Sequence, residues 1–600
     1  MVLCKSLLFT LLLYLIAFSV NAEVNVTINI DNPEHHLATV QVQFKASETK
    51  DTLVYLPTWR TGRYEILNLA NGIRKFSAQD EQGNALLWEK VSKDSWRINN
   101  TQHKKLTVTY QVYANQLGKR TRHIDDSHAF IDNSTVVMYS EESRPQKHTV
   151  QMVVPKAWRS VSGLDFGDNH HQFIARNYDV LVDSPIESGI NQFFEFEVDN
   201  RQYELVIWGE GNYDTQKMLQ DLTVMVEQSK SIWQGYPFKR YVFMVHATSG
   251  ARGATEHLNS TIIQRSRYKF SARKDYIGFI STAAHEFVHT WNVKQYRPEG
   301  LVPYDYQQEN YDNLLWLAEG STSYLQYQLL LRGKLLTRKE FFEDLAKRIT
   351  KHQHKPGRNS QSIAQAGFDA WINESGDYGN NHSVNIYAEG YLASWLLDFD
   401  ILSRTNLAKS YRNVHNQLYQ QFKIPKSYNE NDILAILNQV TGENYQPWWQ
   451  QNITGLLAID FDALLAKAGL QMSYGKAGAK LKTQIWTGLK TEQVNSGLKV
   501  THVEKHSPAW DAGFTLDDII IAIDGLRLVD KDLTTRLADF NDENTVDISF
   551  FRRDVLASKS LALVKRPKDK LKVTPLENAN EQQKAFFTQW TGLEFPEDKK

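Results

Sequence analysis

The N-terminal part of the chain alternates apolar and polar residues at a period of two. Residues 24–30, 40–44 and 106–112 each show this alternation, and turns rich in Gly, Asp and Asn separate such runs. Because successive side chains of a strand point to opposite faces of a sheet, the pattern predicts half-buried antiparallel strands. Residues 23–200 are therefore predicted to form a β domain.

The pattern changes to helical spacing after one further strand-like run at residues 203–208. From there to about Leu470 the apolar residues recur at the three- and four-residue spacing of helices that bury one face. Residues 313–331 predict a helix that ends at Gly333, since glycine is a favoured stop. Residues 351–379 are polar and rich in Gly and Asn, which indicates a loop.

Composition narrows the classes of protein that this chain can be. Of its 600 residues 42% are hydrophobic, and 15 Trp, 27 Tyr and 28 Phe supply apolar surface for large cores, so general disorder is excluded. At roughly 100–200 residues per domain, about three to five folded units are expected. The net charge of -1 removes the electrostatic argument for nucleic acid as a partner. A single cysteine, Cys4, excludes a disulfide scaffold and a cysteine-based metal site.

The first 22 residues have the order of a secretory signal peptide. Lys5 precedes an uncharged apolar run at residues 6–20, and Ala22 ends the segment with a small side chain. A transmembrane anchor is the alternative, but the run is shorter than the roughly 20 apolar residues that span a bilayer. We expect cleavage after Ala22, loss of Cys4 with the peptide, and no stable membrane insertion. The product is expected to be secreted, and in a bacterium with an outer membrane it would be periplasmic.

One motif, H-E-x-x-H at residues 285–289, indicates metal chemistry. The stretch around it is apolar at helical spacing, and residues four apart on a helix share one face, so His285 and His289 can bind one metal ion. Glu286 is then placed to take a proton from the attacking water. By chance the motif would arise about 0.03 times in a chain of this composition, so coincidence is the weaker explanation.

A catalytic zinc site needs a third protein ligand and leaves its fourth position for water. Glu319 is the candidate, because it is a lone carboxylate in an apolar helical segment and would be costly to bury without a cation. An acid that is partly exposed on its helix is the alternative. Trp291 and Asn292 follow the motif, so the three-histidine continuation is absent. A site with two histidines, one glutamate and one Zn²⁺ per chain is favoured.

These residues and several longer segments resemble the glycyl aminopeptidase family of zinc metallopeptidases, whose members combine a thermolysin-like catalytic domain with a PDZ domain. The matching segments are HEFVHTWNVKQYRP, LWLAEGSTSY, GATEHLNST and LPTWRTGRY, at residues 285–298, 315–324, 253–261 and 56–64. The resemblance implies a multidomain α+β protein. Its parts would be an N-terminal antiparallel β domain, a mainly helical thermolysin-like catalytic domain and a C-terminal PDZ domain.

The resemblance also implies roles for single residues. Zinc ligation and general-base catalysis are implied for His285, His289, Glu319 and Glu286. Glu256, in a segment like the Gly-x-x-Glu exopeptidase loop, would hold the free α-amine of the substrate, with Gly253 and Ala254 beside the substrate backbone. Tyr387 matches the tyrosine that donates a hydrogen bond to the developing oxyanion. Without the resemblance, Glu256 would be interpreted as a surface acid and Tyr387 as a packing residue.

Two segments depart from the family pattern. Where the family has a tight Pro-Gly-Ser turn, this chain has Thr-Gly-Arg at residues 61–63. The basic run after the histidine motif is Lys-Gln-Tyr-Arg at residues 294–297. Both segments lie outside the predicted ligands, so they affect the expected substrate preference and leave the metal prediction unchanged.

Residues 507–525 resemble the most recognisable stretch of a PDZ domain, which is a short helix, a turn and a strand that ends in a hairpin. Asp517 stands where a glycine is usual, and residues 532–540 are the expected groove-lining helix. The peptide-binding loop is expected to consist of Trp486, Thr487, Gly488 and Leu489. Such a groove adds a peptide as an extra strand and captures its C-terminal carboxylate. A structural domain that binds no peptide is an equal alternative.

The expected division of the chain has five parts. They are a signal peptide (1–22), an N-terminal β domain (23–200), a zinc peptidase catalytic domain with a helical second half (201–470), a PDZ domain (471–566) and a C-terminal tail (567–600).

Three functions are compatible with these features. The first is a zinc aminopeptidase that acts on peptides with a free N-terminus, with a preference for Gly or Ala implied by the resemblance. The second is a zinc endopeptidase with the same metal site, which would also cleave N-acetylated peptides. The third is a periplasmic PDZ peptide-binding protein with an inactive peptidase domain. The presence of all four metal-site residues argues against the third.

Overall fold

A computed structural model describes residues 23–30, 32–100, 104–373, 375–475, 482–528, 533–540, 545–568 and 570–596. The predicted signal peptide at residues 1–22 lies outside these ranges. Within them, no helix combines the length and the hydropathy of a membrane-spanning segment.

The N-terminal region consists of three sheets. The largest has seven strands in the spatial order Asp165–Phe166, Gln172–Ala175, His148–Val153, Val24–Asn29, Leu37–Lys45, Lys105–Tyr113 and Ile73–Gln79. The second has four strands, Arg159–Ser162, Ile186–Gly189, His128–Ile131 and Arg122–Ile124. The third has three strands, Asp51–Tyr55, Ser95–Asn99 and Trp88–Lys90.

The alternation read from the sequence is confirmed in the seven-stranded sheet. Val24, Val26 and Ile28 are buried, whereas Asn25 between them is exposed. Neighbouring strands are antiparallel except for Val24–Asn29, which runs parallel to His148–Val153. The region therefore has the predicted β architecture, with one parallel pair that the sequence did not indicate.

A five-stranded sheet follows and supports the helices of the central region. Its spatial order is Gln192–Val198, Arg201–Trp208, Arg240–Ala247, Ser260–Arg265 and Gly253–Glu256. The three middle strands are parallel to one another, and the two outer strands are antiparallel to their neighbours. The strand predicted at residues 203–208 is confirmed, and the Gly253–Glu256 strand lies at the sheet edge.

The central region is mainly helical. Its longer helices are Thr215–Glu227, Arg273–His289, Leu315–Arg332, Arg338–Gln353, Ile386–Arg404, Tyr411–Gln421 and Glu430–Thr441. The shorter helices are Tyr178–Val182, which precedes the five-stranded sheet, Ile363–Phe368, Gly376–His382, Gln446–Trp449 and Phe461–Lys467. We call Arg273–His289 the histidine helix, Leu315–Arg332 the glutamate helix and Ile386–Arg404 the tyrosine helix.

Two helix predictions have different outcomes. The helix predicted at residues 313–331 is confirmed, and it ends at the predicted Gly333. The loop predicted at residues 351–379 is partly wrong, because it contains the Ile363–Phe368 helix and the start of the Gly376–His382 helix. Ser362 caps the first of these by accepting a hydrogen bond from the Gln365 N–H, while the Gln365 side chain bonds back to the cap. This capping box stabilises a helix of six residues, which is too short to show a helical period in the sequence.

The C-terminal part contains a six-stranded sheet with its own hydrophobic cluster. Its strands are Leu489–Val494, Gly497–Val503, Ile519–Ile523, Thr545–Arg552 and Val555–Ala562, with Leu526–Arg527 paired to Ile519–Ile523. Two short helices, Pro508–Asp511 and Leu533–Leu537, belong to this unit. Two strand pairs connect it to the rest of the chain, Leu470–Tyr474 with Leu571–Pro575 and Thr483–Trp486 with Val564–Pro567.

The segment expected to be a tail, residues 567–600, is largely part of the fold. Its described residues form the Leu571–Pro575 strand and the Glu581–Thr591 helix. Phe586, Phe587 and Trp590 of that helix are buried, and the Trp590 indole donates a hydrogen bond to the Tyr324 hydroxyl at 2.9 Å. The three aromatics lie at positions i, i+1 and i+4, so one face of the helix carries them into the core.

Candidate active site

The histidine helix lies against the five-stranded sheet through a fully buried face. Phe279, Ala283 and Phe287 have no exposed surface, and the Phe287 ring lies 5.1 Å from the ring of Tyr241 on a central strand. This packing fixes the rotation of the helix. His285 and His289 therefore lie one above the other, with their Nε2 atoms 3.1 Å apart.

The glutamate helix brings a carboxylate to these two nitrogens. Glu319 Oε2 lies 3.4 Å from His289 Nε2 and 4.0 Å from His285 Nε2. Ligands about 2.1 Å from a tetrahedral zinc ion are about 3.4 Å from one another, so the three distances lie around the required value. Glu319 is only 2% exposed, so it is not the partly exposed acid that was the alternative interpretation.

Each of the three groups is oriented by a second partner. His285 Nδ1 faces the Gln326 side-chain oxygen at 2.8 Å, and His289 Nδ1 faces the Asn292 carbonyl at 2.9 Å. Both partners are acceptors, so Nδ1 carries a proton, and in the neutral ring Nε2 presents a lone pair. The Tyr64 hydroxyl donates to Glu319 Oε1 at 2.9 Å.

This donor set fits a divalent metal ion. Two imidazole lone pairs that face each other at 3.1 Å repel unless a metal ion or a proton lies between them, and a buried carboxylate beside them needs a positive charge as well. Second partners of this kind are typical of histidine ligands. Two histidines and one carboxylate are the usual ligands of a catalytic zinc ion.

The titration behaviour of the cluster reflects charges held close together away from water. Burial and the charge of Glu256 raise the pKa of Glu286 to about 8. Burial, followed by the charge of His289, lowers the pKa of His285 to about 3. Burial acts against the charged form of His289, but the Glu319 carboxylate outweighs it and raises the pKa of His289 to about 9. Strong perturbation of several neighbouring groups is typical of functional sites.

Glu256 lies at the end of the edge strand Gly253–Glu256 and next to the metal-site residues. One of its carboxylate oxygens falls in a group with Glu286 and His289 whose ligand atoms all lie within 4.8 Å of one another. The buried Lys294 ammonium is 3.7 Å from Glu256 Oε1. A Cβ atom on Gly62 would lie 2.6 Å from Glu256 Oε2, so the glycine turn of the N-terminal region confines this carboxylate.

The edge strand is held by an arginine from the N-terminal region. Arg120 Nε donates to the Thr255 hydroxyl at 3.1 Å, and Arg120 Nη1 donates to the Arg252 carbonyl at 2.9 Å. Gly253 has a φ of +129° and faces the Arg120 guanidinium, where a Cβ atom would collide. Gly253 and Ala254 pair with Gln264 and Ile263 on one side only, within the sheet that the structure describes.

Tyr387 reaches the same cleft from the first turn of the tyrosine helix. Its ring centroid lies 6.1 Å from that of His285, and the residue is 38% exposed. Desolvation of the phenol, followed by the charges of Glu319 and Glu256, raises the pKa of Tyr387 well above the ordinary value of a phenol. The hydroxyl therefore stays protonated and can donate a hydrogen bond.

Two glycines allow the glutamate and tyrosine helices to approach closely. A Cβ atom on Gly320 would lie 2.5 Å from the Gly390 carbonyl carbon and 2.7 Å from the Ile386 oxygen. A Cβ atom on Gly390 would in turn lie 2.8 Å from the Trp316 oxygen. The crossing of the two backbones brings Glu319 and Tyr387 to one cleft.

Sequence reasoning missed four residues of this site, namely Tyr64, Arg120, Lys294 and Gln326. Gln326 follows Glu319 by two helical turns, so helical spacing could have placed it on the same face. Tyr64 and Arg120 come from the N-terminal region, and no local pattern connects them with partners that lie 255 and 135 positions later in the chain.

The predicted peptide-binding loop lies in the C-terminal unit. Trp486 ends one strand and Leu489 begins the next. The Thr487 carbonyl accepts a hydrogen bond from the Ala509 N–H, and the Gly488 carbonyl accepts one from the Glu504 N–H. The predicted groove helix corresponds to Leu533–Leu537, and residues 529–532 lie outside the described residues.

Comparisons with known proteins give family and fold similarities. The Peptidase M61 N-terminal domain matches residues 25–190, and the M61 glycyl aminopeptidase family matches residues 278–393. No curated protein matches the chain. An aminopeptidase N family protein from Idiomarina loihiensis has a similar crystal structure, with 24% identity, a TM-score of 0.86, and coverage of 95% of this chain and 100% of its own. This likeness supports the fold of the whole chain.

Two more distant structures are similar over part of the chain. An M1 zinc metallopeptidase mutant from Deinococcus radiodurans, bound to a Tyr-Ser-Ala substrate, has 11% identity and a TM-score of 0.48, and the match covers 73% of this chain and 94% of that one. Native yeast LTA4 hydrolase has 14% identity and a TM-score of 0.45, with coverage of 74% and 70%. At these scores neither structure contributes to the argument.

Proposed function

Because the chain belongs to the M61 glycyl aminopeptidase family of peptidases, we propose that it is a zinc-dependent aminopeptidase that releases N-terminal residues, preferably Gly or Ala, from peptides. The observation that carries the proposal is the convergence of His285, His289 and Glu319 next to two further buried carboxylates. Membership of the family makes the protein a metallo-aminopeptidase in general. The zinc ion, the residue roles and the substrate preference are the proposed part.

His285, His289 and Glu319 would hold one zinc ion. Zinc bound there supplies Lewis-acid polarisation of the scissile carbonyl and of the attacking water. Glu286 lies beside these ligands and takes a proton from that water as its oxygen attacks the carbonyl carbon. The same carboxyl then gives a proton to the leaving amine when the C–N bond breaks. Tyr387 donates a hydrogen bond to the oxygen on which negative charge develops.

Glu256 is proposed to make the reaction an exopeptidase reaction. A buried carboxylate close to the metal site pairs with the free α-ammonium of a substrate and so places the first peptide bond at the reacting centre. The open side of the Gly253–Glu256 strand can bind the substrate backbone as an added strand. Gly62 leaves little room beside Glu256, which supports a preference for substrates whose first residue is small, such as Gly or Ala.

Lys294 favours a second candidate function, endopeptidase cleavage. Its buried ammonium lies 3.7 Å from Glu256 and already supplies part of the positive charge that a substrate amine would bring. However, the Lys294 ammonium lies closer to Asp183, at 2.8 Å, so its interaction with Glu256 is the weaker of the two. We therefore place aminopeptidase activity first.

One peptide series decides between these two functions. We expect hydrolysis of free Ala- and Gly-peptides, little hydrolysis of their N-acetylated forms, and loss of all hydrolysis in Glu286→Gln. In Glu256→Gln, KM for free peptides should rise, whereas kcat/KM for the acetylated forms should not fall. Glu195→Gln, an exposed strand position, is the matched control. Equal rates on free and acetylated peptides would indicate an endopeptidase, and hydrolysis by Glu286→Gln would exclude the mechanism.

We also propose that the C-terminal unit is a PDZ domain, with boundaries close to residues 471–566. Its separate hydrophobic cluster, its Leu489–Val494 edge strand and the Leu533–Leu537 helix support this. Peptide capture in a groove at Trp486–Leu489 would be detected by fluorescence anisotropy. A peptide with a free C-terminal carboxylate should bind, and its C-terminal amide should not.

Secretion is the remaining proposal. The apolar segment at residues 6–20 supports cleavage after Ala22 and a periplasmic product. N-terminal sequencing of the exported protein should begin at Glu23. An N-terminus at Met1 in the membrane fraction would contradict cleavage.

A further inference from the structure

A second cluster of potential metal ligands lies in a β-hairpin of the N-terminal region. The strands Arg122–Ile124 and His128–Ile131 are antiparallel neighbours in the four-stranded sheet. We call residues 122–131 the histidine hairpin. His123, Asp125 and His128 lie on its first strand, its turn and its second strand, and their ligand atoms all lie within 4.8 Å of one another. None of them belongs to the proposed peptidase site.

The distances in this cluster match those of the proposed catalytic site. Asp125 Oδ2 lies 3.1 Å from His123 Nε2 and 4.0 Å from His128 Nε2. The corresponding atoms of His285, His289 and Glu319 are 3.1 to 4.0 Å apart. Both sets lie around the separation of about 3.4 Å that a tetrahedral ion requires of its ligands.

His128 has the environment of a metal ligand. It is 0% exposed, and among the described residues its Nε2 atom has no hydrogen-bond partner. Its Nδ1 atom is paired with Glu187 Oε1 at 2.9 Å, and the Trp208 indole stacks on the ring at 3.6 Å between centroids. A buried nitrogen without a partner destabilises the fold, and a bound ion would remove that penalty. A histidine ligand usually pairs its other nitrogen with a carboxylate, which here is Glu187.

Asp125 directs one carboxylate oxygen at the two imidazoles. Its Oδ1 accepts hydrogen bonds from the Ser127 N–H at 2.9 Å and from the His128 N–H at 3.0 Å, whereas Oδ2 is hydrogen-bonded to His123 Nε2 at 3.1 Å, a single bond that an ion would replace. The Asp125 side chain is 26% exposed and that of His123 is 10% exposed, which gives an ion and its water ligand access from solvent.

The neighbouring group of His128, Glu187 and His246 is a poorer site. Glu187 bonds to His128 at 2.9 Å and to His246 at 3.0 Å, so an ion there would have to replace two good hydrogen bonds. His246 lies on the Arg240–Ala247 strand of the five-stranded sheet. Glu187 therefore links the histidine hairpin to the sheet that supports the histidine helix.

We propose that His123, Asp125 and His128 bind a second zinc ion, which joins the two strands of the histidine hairpin across its turn. The ion is distinct from the proposed catalytic zinc, and its role is structural. A site of two imidazoles and one carboxylate suits Zn²⁺ better than Mg²⁺ or Ca²⁺, which prefer oxygen ligands. The full-length protein should then hold two zinc ions per chain instead of one.

Metal analysis of full-length variants tests this proposal. After zinc loading and dialysis, Asp125→Asn and His123→Asn should each contain one zinc ion fewer than the wild type, and Asp126→Asn, the exposed neighbour, should equal the wild type. His289→Ala should retain the hairpin ion. In that background, cobalt(II) should show the visible absorption of a four-coordinate site, and Asp125→Asn should abolish it.

Two readouts separate the outcomes. Circular dichroism identifies a variant that fails to fold, in which case the second hairpin variant decides. Hydrolysis of Ala-anilide by zinc-loaded Asp125→Asn should stay within twofold of the wild type, because the variant leaves the peptidase site intact. Unchanged zinc content in both folded hairpin variants would overturn the proposal, whether or not His289→Ala loses a zinc ion.

Discussion

The close crossing of the glutamate and tyrosine helices predicts that Gly320→Ala damages the active site. The added Cβ atom would lie 2.5 Å from the Gly390 carbonyl carbon and 2.7 Å from the Ile386 oxygen. Both are backbone atoms, so no side-chain rotation relieves the contact. The Gly390 Cα lies closer still, so restoring ordinary van der Waals contact requires the two helices to separate by about 1 Å.

The size of the effect follows from this displacement. Overpacking of this kind costs about 1–3 kcal/mol of stability. Glu319 immediately precedes Gly320, and Tyr387 is one turn before Gly390, so both move relative to the two histidines. A misplacement of about 1 Å in an active site can cost about 100-fold in rate. We expect kcat/KM on Ala-anilide to fall about 10- to 100-fold and zinc affinity to fall with it.

The assay needs a control for the general effect of Gly→Ala. Gly442→Ala serves, because Gly442 has a φ of +77° at a helix end, and no heavy atom of the described residues lies within 4 Å of the position that the added methyl group would take. It should lose about 1 kcal/mol of stability through backbone strain and keep full activity. A folded Gly320→Ala protein with wild-type kcat/KM and zinc affinity would refute the reasoning.

Three further predictions concern groups around the site. Gly62→Ala should raise KM for free-amine substrates more than it lowers kcat, since the methyl group would displace the Glu256 carboxylate, and steady-state kinetics would detect it. Tyr64→Phe removes the hydrogen bond to the third ligand and should weaken zinc binding about 10- to 100-fold in a chelator competition, with little change in Tm. Burial opposes ionisation of Asp183, but the Lys294 ammonium outweighs it and lowers the pKa of Asp183 from 3.8 to about 2. A carboxyl whose pKa is depressed in the folded state stabilises the fold at pH values above its pKa in the unfolded chain. This stabilisation is lost as the pH falls towards 2. Asp183→Asn should therefore lower stability at neutral pH and reduce its acid dependence in denaturant titrations.

The sequence pattern predicted those elements whose formation depends on residues close together in the chain. The alternation at residues 24–30 and the spacing of His285 and His289 are set by strand and helix periods, so the sequence contains them. Glu319 could be selected as a candidate ligand because an acid in an apolar helix needs a cation.

The features that the sequence did not predict depend on contacts between residues that are far apart in the chain. Tyr64 meets Glu319 only because the N-terminal region packs on the catalytic helices. Trp590 is buried against the central helices, where its indole donates a hydrogen bond to Tyr324, a residue 266 positions earlier in the chain. His123, Asp125 and His128 were overlooked because a strand–turn–strand segment gives ligands no fixed period, whereas a helix repeats every three or four residues.

Anomalous X-ray scattering at the zinc edge would show whether one zinc ion binds at His285, His289 and Glu319. Crystals of the active, zinc-loaded protein should show an anomalous peak at about 2.1 Å from both Nε2 atoms and from a Glu319 oxygen. An active protein with no anomalous peak between these three side chains would contradict the account.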